Sequence, residues 1–464
     1  MSATQPSLRR RALTAGLWAT LTGFAGIGLR FGSSLIMTRL LVPEAFGILA
    51  LAIVLSVVIA LLSDIGLRQY VIAKDDGNHP AVLGVILSLS AIRGAVIALV
   101  TAIVAGVIVL LAHAGVFKPD SVYAHPDMPI VLALMGSTAV ILGFKSPNML
   151  LLDRNLDLRK LGYIDLGTQV VVTIASVALA FVWRNVYSMI AGIMIGSVAT
   201  VVLSIIWVPG PPYRFLWDRR IAGELMRFGR WILLSSLAFV LAQNADRLLL
   251  GNWISAVELG LYMVALNLLM SVEQIISRPF VAVALPAFSE VIRRNDGSMR
   301  AVYFKTRMPL DLAAVTAAGM LFATGQFIVD VLYDPRYQAA GRTLQVLSFG
   351  LFFTRYNLAV AAHNALMEPH VQSWVNVTKL VSIVVLIPIG QAIAGFEGAI
   401  WAIALHMAPA MLLTWWHNRR HQLVDIRFEL KSVLCWPVGY GVGLLGVWMV
   451  KTLFPSLLTL RPHG

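Results

Sequence analysis

Residues 81–112 read AVLGVILSLSAIRGAVIALVTAIVAGVIVLLA, in which Arg93 is the only charged residue. A helix needs about 20 apolar residues to cross the hydrocarbon core of a bilayer, so this stretch is long enough to span it. The whole chain of 464 residues is 58% hydrophobic and 13% charged, about half the charged fraction typical of soluble domains. The sequence therefore predicts an all-α, multi-pass membrane protein without a separate soluble domain.

Similar apolar runs recur along the chain and predict about thirteen membrane-spanning helices. They cover approximately residues 14–40, 45–73, 81–112, 128–152, 161–183, 187–208, 229–252, 258–284, 308–333, 342–367, 374–394, 397–417 and 431–453. Lys and Arg concentrate in alternate connections, which places the N-terminus in the cytoplasm by the positive-inside rule. The first run follows an arginine triplet and is too long for a signal peptide, so we interpret it as an uncleaved helix.

The segment 209–228 begins Pro-Gly-Pro-Pro, is rich in arginine, and predicts a basic cytoplasmic linker between two lobes. We expect an N-terminal six-helix lobe at residues 1–208 and a C-terminal six-helix lobe with a cytoplasmic loop at 229–430. An additional transmembrane helix and tail follow at 431–464. An even number of spans per lobe gives both lobes the same orientation, which predicts a parallel repeat around a central cavity.

Several classes of function lack support in the sequence. The single cysteine, Cys435, excludes an internal disulfide and a thiolate cluster. The net charge is +13, and the basic residues that produce it lie mainly between apolar runs. We therefore attribute them to orientation of the chain in the membrane and not to nucleic-acid binding. No Walker-type loop, HExxH or GxSxG motif occurs, so we predict no cofactor, no catalytic residues and no enzymatic activity. His363 and His406 look isolated, so we predict no metal site and assign them to packing or hydrogen bonding.

Four motifs carry a family resemblance: TRLLVPEAFG at 38–47, DIGL at 64–67, DRLLLG at 246–251 and ELGLY at 258–262. Together they resemble the Wzx-type polysaccharide flippases of the multidrug, oligosaccharidyl-lipid and polysaccharide exporter superfamily. The resemblance implies translocation of undecaprenyl-diphosphate-linked oligosaccharide to the outer leaflet by alternating access, for exopolysaccharide, O-antigen or capsule synthesis. It also implies a functional monomer in the cell inner membrane, with polysaccharide polymerase and chain-length machinery as partners.

The candidate site residues are polar groups inside the predicted spans, because charges at membrane depth usually face a cavity or a partner. A mainly basic set is predicted to bind the diphosphate and sugar: Arg30, Arg93, Arg278, Arg355, Lys379, Gln274 and Asn357. Snorkelling toward the headgroups is the rival interpretation for Arg93 and Lys379, and helix–helix contact is the rival for the amides. An acidic set serves ion coupling or, as we favour, interhelical pairing: Asp64, Asp246 and Glu273.

Two other functions remain open from the sequence alone. A cation-coupled multidrug exporter of the same superfamily would need an acidic and aromatic cavity. A membrane-embedded polysaccharide polymerase would need a large soluble loop or paired catalytic groups. The mid-membrane charges are mainly basic, which favours an anionic lipid-linked substrate over a cationic drug.

Overall fold

The computed structural model describes residues 8–63, 66–74, 76–155, 157–294 and 299–453. Throughout this part of the chain the secondary structure is helical and contains no strand, which confirms the all-α fold class. The predicted site residue Asp64 lies outside the described residues.

Eight helices precede Pro209, and ten follow it. The first eight are α1 (Leu8–Leu40), α2 (Pro43–Leu62), α3 (Leu67–Ala73), α4 (Pro80–His113), α5 (Met128–Gly143), α6 (Asn148–Arg154), α7 (Leu158–Trp183) and α8 (Val186–Ile206). The others are α9 (Arg219–Trp253), α10 (Ala256–Arg294), α11 (Met299–Leu332), α12 (Ala340–Leu347), α13 (Leu351–Thr354), α14 (Asn357–Ala365), α15 (Pro369–Leu405), α16 (Ala408–Arg420), α17 (Ile426–Val433) and α18 (Cys435–Leu453). Single 3-10 turns lie at Val122–Ala124, Pro335–Tyr337 and Ser348–Gly350.

Among the described residues, eight helices are long and apolar enough to cross a membrane, or nine if the bent pair α5 and α6 forms one span. The chain is therefore a multi-pass membrane protein, and the larger number of thirteen spans stays a prediction. Part of the difference comes from broken helices: the predicted span 342–367 is divided among α12, α13 and α14.

Kinks account for other departures from the predicted spans. The predicted span 128–152 is bent by 79° between α5 and α6. Two more predicted spans, 374–394 and 397–417, meet inside α15, where Gly395 has a φ of +59°. Glycine adopts this left-handed backbone without the Cβ clash that other residues suffer, so it can terminate one span and start the next.

Residue contacts divide the chain into two compact units. Unit 1 runs to Leu241 and includes Ile254–Val257, and unit 2 comprises Ala242–Trp253 and the chain from Glu258 onward. The division falls inside α9 and not in the basic linker, because the start of α9 packs into unit 1. Its buried residues Ala222 and Leu225 join a core cluster with Leu83 of α4.

Close helix crossings in both units depend on small residues. In unit 1, a Cβ added at Gly143 of α5 would lie 2.8 Å from the Ser90 carbonyl oxygen of α4. In unit 2, a Cβ at Gly439 of α18 would collide with the Thr316 carbonyl oxygen of α11. Backbones approach this closely in membrane proteins because lipid gives no hydrophobic drive and packing must hold helices together. The additional C-terminal helix is thus packed directly on α11.

Candidate functional site

A buried cluster of four charged side chains lies in unit 2. On α11, Arg307 Nε is 3.2 Å from Asp311 Oδ1, a pairing that follows from their spacing of one helical turn. From α17, Glu429 places Oε1 2.6 Å from Arg307 Nη1. Arg355, which follows α13, lies 3.5 Å from both carboxylates. Two guanidinium groups and two carboxylates make the cluster neutral, as buried charges require.

Uncharged groups complete this charge cluster. Ser432 donates its hydroxyl to Asp311 Oδ2 at 3.0 Å, and Tyr356 donates to Glu429 Oε2 at 3.0 Å. Trp415 Nε1 in turn donates to the Tyr356 hydroxyl at 3.1 Å. The Arg307 guanidinium also lies 5.0 Å from the Tyr356 ring centre, within the range of a cation–π contact. These contacts hold α11, α13, α16 and α17 to one another.

Arg355 was predicted to bind substrate, and in this structure its charge is balanced by Asp311 and Glu429. Its other partners in the cluster were not among the predicted site residues. Arg307 immediately precedes the predicted span 308–333, and its spacing of four residues from Asp311 is a signal of helical pairing in the sequence. Glu429 carries no such signal, because its partner lies 122 residues earlier.

An apolar cavity of about 380 Å³ adjoins the charge cluster. Arg355 and Glu429 form part of its wall, and the remaining lining is aromatic or aliphatic: Phe349, Phe352, Phe353, Leu405, Met411, Trp415, Ile426, Leu430 and Val433. The cavity therefore offers an apolar interior beside a balanced set of charges.

Three other predicted residues lie around the neighbouring helices α10, α14 and α15. Asn357 and Lys379 line one small recess, so the structure brings these two predicted ligands together. Glu273 of α10 accepts a hydrogen bond from the Thr354 hydroxyl at 3.2 Å. Lys379 interacts electrostatically with Glu273, but no carboxylate among the described residues lies within 4 Å of its ammonium nitrogen.

Arg278 and Gln274 form a pair on one face of α10. Arg278 Nη2 donates to Gln274 Oε1 at 2.9 Å across one helical turn. The amide is uncharged, and within the described parts of the chain no carboxylate pairs with this guanidinium. Gln274 thus restrains the orientation of the Arg278 guanidinium without bringing an opposite charge to it.

Arg30 of α1 is exposed and has no hydrogen-bond or ion-pair partner among the described residues. No described residue packs against α1 at Gly28 or Gly32 either, because a Cβ added at these glycines would have no atom of the described structure within 4 Å. Gly28 and Gly32 have the GxxxG spacing that is typical of close helix packing, but no described residue packs against them. Arg30 therefore offers a free guanidinium on a helix that is only partly covered.

Arg93 has a local structural role in unit 1. It donates from Nη2 to the Ala60 carbonyl oxygen at 2.9 Å and from Nε to the Ser63 hydroxyl at 3.1 Å. Both partners lie at the C-terminal end of α2, where a cation compensates the unpaired carbonyl groups and the negative end of the helix dipole.

Asp246 lies near the end of α9 and is buried. Its Oδ2 accepts a hydrogen bond from the Tyr262 hydroxyl of α10, and Arg247 Nε lies 3.8 Å from the same oxygen. The carboxylate thus links two successive helices, the kind of contact that the interhelical-pairing interpretation describes.

The histidine at 363 has close polar partners, so the prediction that it is isolated is wrong. His363 Nδ1 lies 2.9 Å from Glu368 Oε2, and its Nε2 lies 2.9 Å from Asn418 Oδ1. The partners come from the start of α15 and the end of α16, and no periodic pattern in the sequence predicts their meeting. His406 has a hydrogen-bond contact within its own helix turn, with Nδ1 2.6 Å from the Ile403 carbonyl oxygen.

Comparison with known proteins places these features in context. Residues 36–342 match the family model described as "Polysaccharide biosynthesis protein". The chain is 21% identical to the lipopolysaccharide biosynthesis protein WzxC of Escherichia coli (strain K12), over 74% of this chain and 67% of that protein. It is also 21% identical to the succinoglycan biosynthesis transport protein ExoT of Rhizobium meliloti (strain 1021), with the same two coverages of 74% and 67%.

Two solved structures are similar in fold. The lipid II flippase MurJ in an inward closed conformation aligns with a TM-score of 0.69 at 11% identity, covering 95% of this chain and 100% of that chain. An inward-facing multidrug resistance MATE family transporter of the MOP superfamily aligns with a TM-score of 0.66 at 14% identity, covering 89% and 98%. At these identities the likeness concerns the arrangement of helices and not the ligand.

Proposed function

Since the chain belongs to the family of polysaccharide biosynthesis proteins, we propose that it moves an oligosaccharide linked to undecaprenyl diphosphate from the cytoplasmic to the outer leaflet. WzxC and ExoT are named for lipopolysaccharide biosynthesis and succinoglycan transport, which supports a substrate of this class for the present chain. The product of this translocation would serve exopolysaccharide, O-antigen or capsule synthesis, with a polymerase and chain-length machinery as partners.

The observation that carries the proposal is a set of cations with no carboxylate within 4 Å among the described residues, on helices that the sequence predicts to span the membrane. Arg30, Arg278 and Lys379 lack an ion pair among the described residues, whereas Arg355 has two. A charge at membrane depth is retained only where it faces water, a partner or a ligand. The unpaired members are therefore the ones that we assign to an anionic substrate.

A diphosphate needs such groups because it would lose its hydration in hydrocarbon at a large cost in free energy. Arginine replaces that hydration with paired N–H donors in a planar fork that matches phosphate oxygens. Gln274 restrains the Arg278 guanidinium before substrate arrives, which lowers the entropy lost on binding. Asn357, beside Lys379, is an amide placed to exchange hydrogen bonds with sugar hydroxyls.

The prenyl chain is apolar and can stay in the lipid while the polar headgroup crosses. Movement of the headgroup then requires alternating access without covalent chemistry, so the function needs no catalytic residue. In this scheme the neutral charge cluster around Arg307 is a rigid part of unit 2, because each of its charges is already paired.

We further propose that the protein resides in the inner membrane as a functional monomer with its N-terminus in the cytoplasm. The concentration of Lys and Arg in alternate connections supports this orientation. A cation-coupled drug exporter is less well supported, because Asp246 and Glu273 already accept hydrogen bonds from Tyr262 and Thr354. A drug-binding cavity would need such carboxylates free.

The test is replacement of Arg30 and Arg278, one at a time, with glutamine in cells that depend on this chain. We expect lipid-linked oligosaccharide to accumulate in the cytoplasmic leaflet and translocation to fall roughly 10- to 100-fold, from the loss of a charged hydrogen bond. Enzymatic labelling of the glycan in sealed vesicles of known orientation measures the sidedness of the lipid.

A matched control is Arg342→Gln, which removes an exposed arginine paired with Glu397 at 3.0 Å. Its translocation should equal that of the wild type. Arg30→Lys and Arg278→Lys retain the charge without the planar fork and should recover part of the activity. Wild-type translocation in both glutamine variants would overturn the proposal.

A further inference from the structure

Four of the nine histidines of the chain lie together in unit 2. Their ring centres are linked by steps of 5.5 to 6.2 Å, and the members are His363, His370, His417 and His421. Two of them converge on one carboxylate: His363 Nδ1 lies 2.9 Å and His421 Nε2 lies 3.1 Å from Glu368 Oε2. The neighbouring Arg419 and Arg420 mark this end of α16 as the strongly basic end.

The side chains of His363, Glu368 and His421 have the chemistry and the spacing that metal binding requires. Imidazole nitrogen and carboxylate oxygen are both ligands of Zn²⁺, at about 2.0–2.2 Å from the ion. In a tetrahedral site such donors are separated from one another by about 3.3 Å, from that bond length. The donor atoms of His363, Glu368 and His421 all lie within 4.8 Å of one another, so small side-chain movements give this arrangement.

Asn418 supplies the outer contact that a zinc-binding histidine typically makes. Its Oδ1 lies 2.9 Å from His363 Nε2, and both side chains are fully buried. In the tautomer in which Nε2 donates to the Asn418 oxygen, Nδ1 carries a lone pair on the side of Glu368, where a metal ion could be bound.

The backbone around the cluster is built to bring the ligands together. Met367 and Gln422 adopt the left-handed conformation, with φ of +61° and +58°, immediately before Glu368 and after His421. Each closes a helix end in the six-to-one pattern, in which Glu368 N donates to the His363 carbonyl oxygen. Residues other than glycine reach this conformation at a cost of about 1 kcal/mol or more. Two residues with this unfavourable backbone conformation, Met367 and Gln422, therefore lie next to the three side chains.

We propose that His363, Glu368 and His421 bind a Zn²⁺ ion that links the ends of α14, α15 and α16. The three side chains leave a fourth tetrahedral position for water. His421 is partly exposed, with 28% of its side chain accessible, so the ion has a route from solvent. The bound ion would connect the end of α14, the last part of the predicted span 342–367, to α15 and α16. This structural role does not depend on how the substrate is bound.

The test uses the full-length, untagged protein in detergent after removal of metal with a chelator. Titration calorimetry with Zn²⁺ should show one ion per chain, and Co²⁺ should give the visible absorption of a four-coordinate site. His421→Ala and Glu368→Gln should each weaken Zn²⁺ binding at least about 100-fold, the upper end of what loss of an outer contact causes. His113→Ala, which removes an exposed histidine at the end of α4, should bind like the wild type.

Size-exclusion profiles of the variants identify any that fail to fold, and Glu368→Gln is nearly isosteric, which keeps the comparison valid. The proposal is overturned if the metal-free protein takes up no Zn²⁺ at micromolar concentration. It is equally overturned if both variants bind Zn²⁺ with wild-type affinity, since the ion would then lie elsewhere.

Discussion

The Arg307 guanidinium and the Glu429 carboxylate meet side by side, with Nη1 2.6 Å from Oε1 and Nη2 2.8 Å from Oε2. Both side chains are buried, and the two residues are 122 positions apart in the chain. Nη2 donates a charge-assisted hydrogen bond to Oε2, and Nη1 and Oε1 form a close ion pair beside it. It ties the beginning of α11 to the short helix α17 that precedes α18.

Replacement of Arg307 by methionine should destabilise the protein strongly, because Glu429 and Asp311 would be left as buried charges without their main partner. Loss of one member of a buried pair costs about 3–5 kcal/mol. The matched control is Arg300→Met, whose partner Asp425 lies at 3.4 Å on an exposed surface, and whose loss should cost about 1 kcal/mol or less. Thermal unfolding in detergent compares the two variants.

The double variant Arg307→Met with Glu429→Gln should be more stable than either single variant, since it removes one charge of each sign. A double variant as unstable as the sum of its singles would show that the two side chains act independently and that the observed pairing has no energetic role.

Leucine at Gly439 should separate α18 from α11. Any side chain at this position would collide with the Thr316 carbonyl oxygen, and backbone cannot yield as a flexible side chain does. Gly441, two residues later on the same helix, provides the control, because a Cβ added there would have no atom within 4 Å. We expect Gly439→Leu to lower the melting temperature and the yield of folded protein, while Gly441→Leu leaves both unchanged.

Tyr262→Phe should destabilise unit 2 by about 1–3 kcal/mol, because the buried Asp246 carboxylate would lose a hydrogen bond. Tyr440 offers the control: its ring stacks on Trp436, and its hydroxyl has no hydrogen bond within the described structure. Tyr440→Phe should change the free energy of unfolding by less than about 0.5 kcal/mol. Equal effects of the two substitutions would contradict the importance of the Asp246 contact.

A surface ion pair in unit 1 should make stability depend on pH. Lys74 Nζ lies 2.8 Å from Glu224 Oε2, just before the apolar part of α9, and Tyr70 donates to the same oxygen at 3.1 Å. The hydrogen bonds from Lys74 and Tyr70 lower the pKa of Glu224 below its ordinary value of 4.5. The stability that the carboxylate adds is therefore complete above that value and is lost as the pH falls through the lowered pKa.

Glu224→Gln should accordingly have a lower melting temperature than the wild type at pH 7. The difference in melting temperature should disappear in acid, below the pKa of Glu224 in the folded protein. Asp218→Asn, which changes a nearby carboxylate outside this pair, serves as the control. A difference in melting temperature that stays constant from pH 7 into acid would show that the carboxylate charge contributes nothing.

The sequence predicted the membrane class and the position of most spans because both depend on local composition. A run such as 81–112 must be buried in lipid as a helix wherever it lies, since its backbone polar groups have no other partner there. The breaks were harder to foresee. Those at Gly395 and between α5 and α6 occur inside apolar stretches, where hydropathy alone does not distinguish a kinked helix from a straight one.

The candidate site was predictable in part. Residue type and predicted depth selected Arg30, Arg278 and Arg355 as one class, yet the structure separates them by their partners. Arg278 donates to the Gln274 amide four residues earlier, a contact that the helical periodicity of the sequence predicts. Arg355 meets Asp311 and Glu429, which lie 44 residues before it and 74 after it in the chain.

By itself, the amino-acid sequence determined that this chain crosses a membrane as helices, and it predicted which stretches do so and that the charge within them is mainly basic. Only the tertiary structure decided which of those cations are neutralised and which histidines meet at Glu368. The physical reason is range: burial and helical pairing act over a few residues, whereas ion pairs and metal ligands depend on chain segments that only folding brings within about 4 Å.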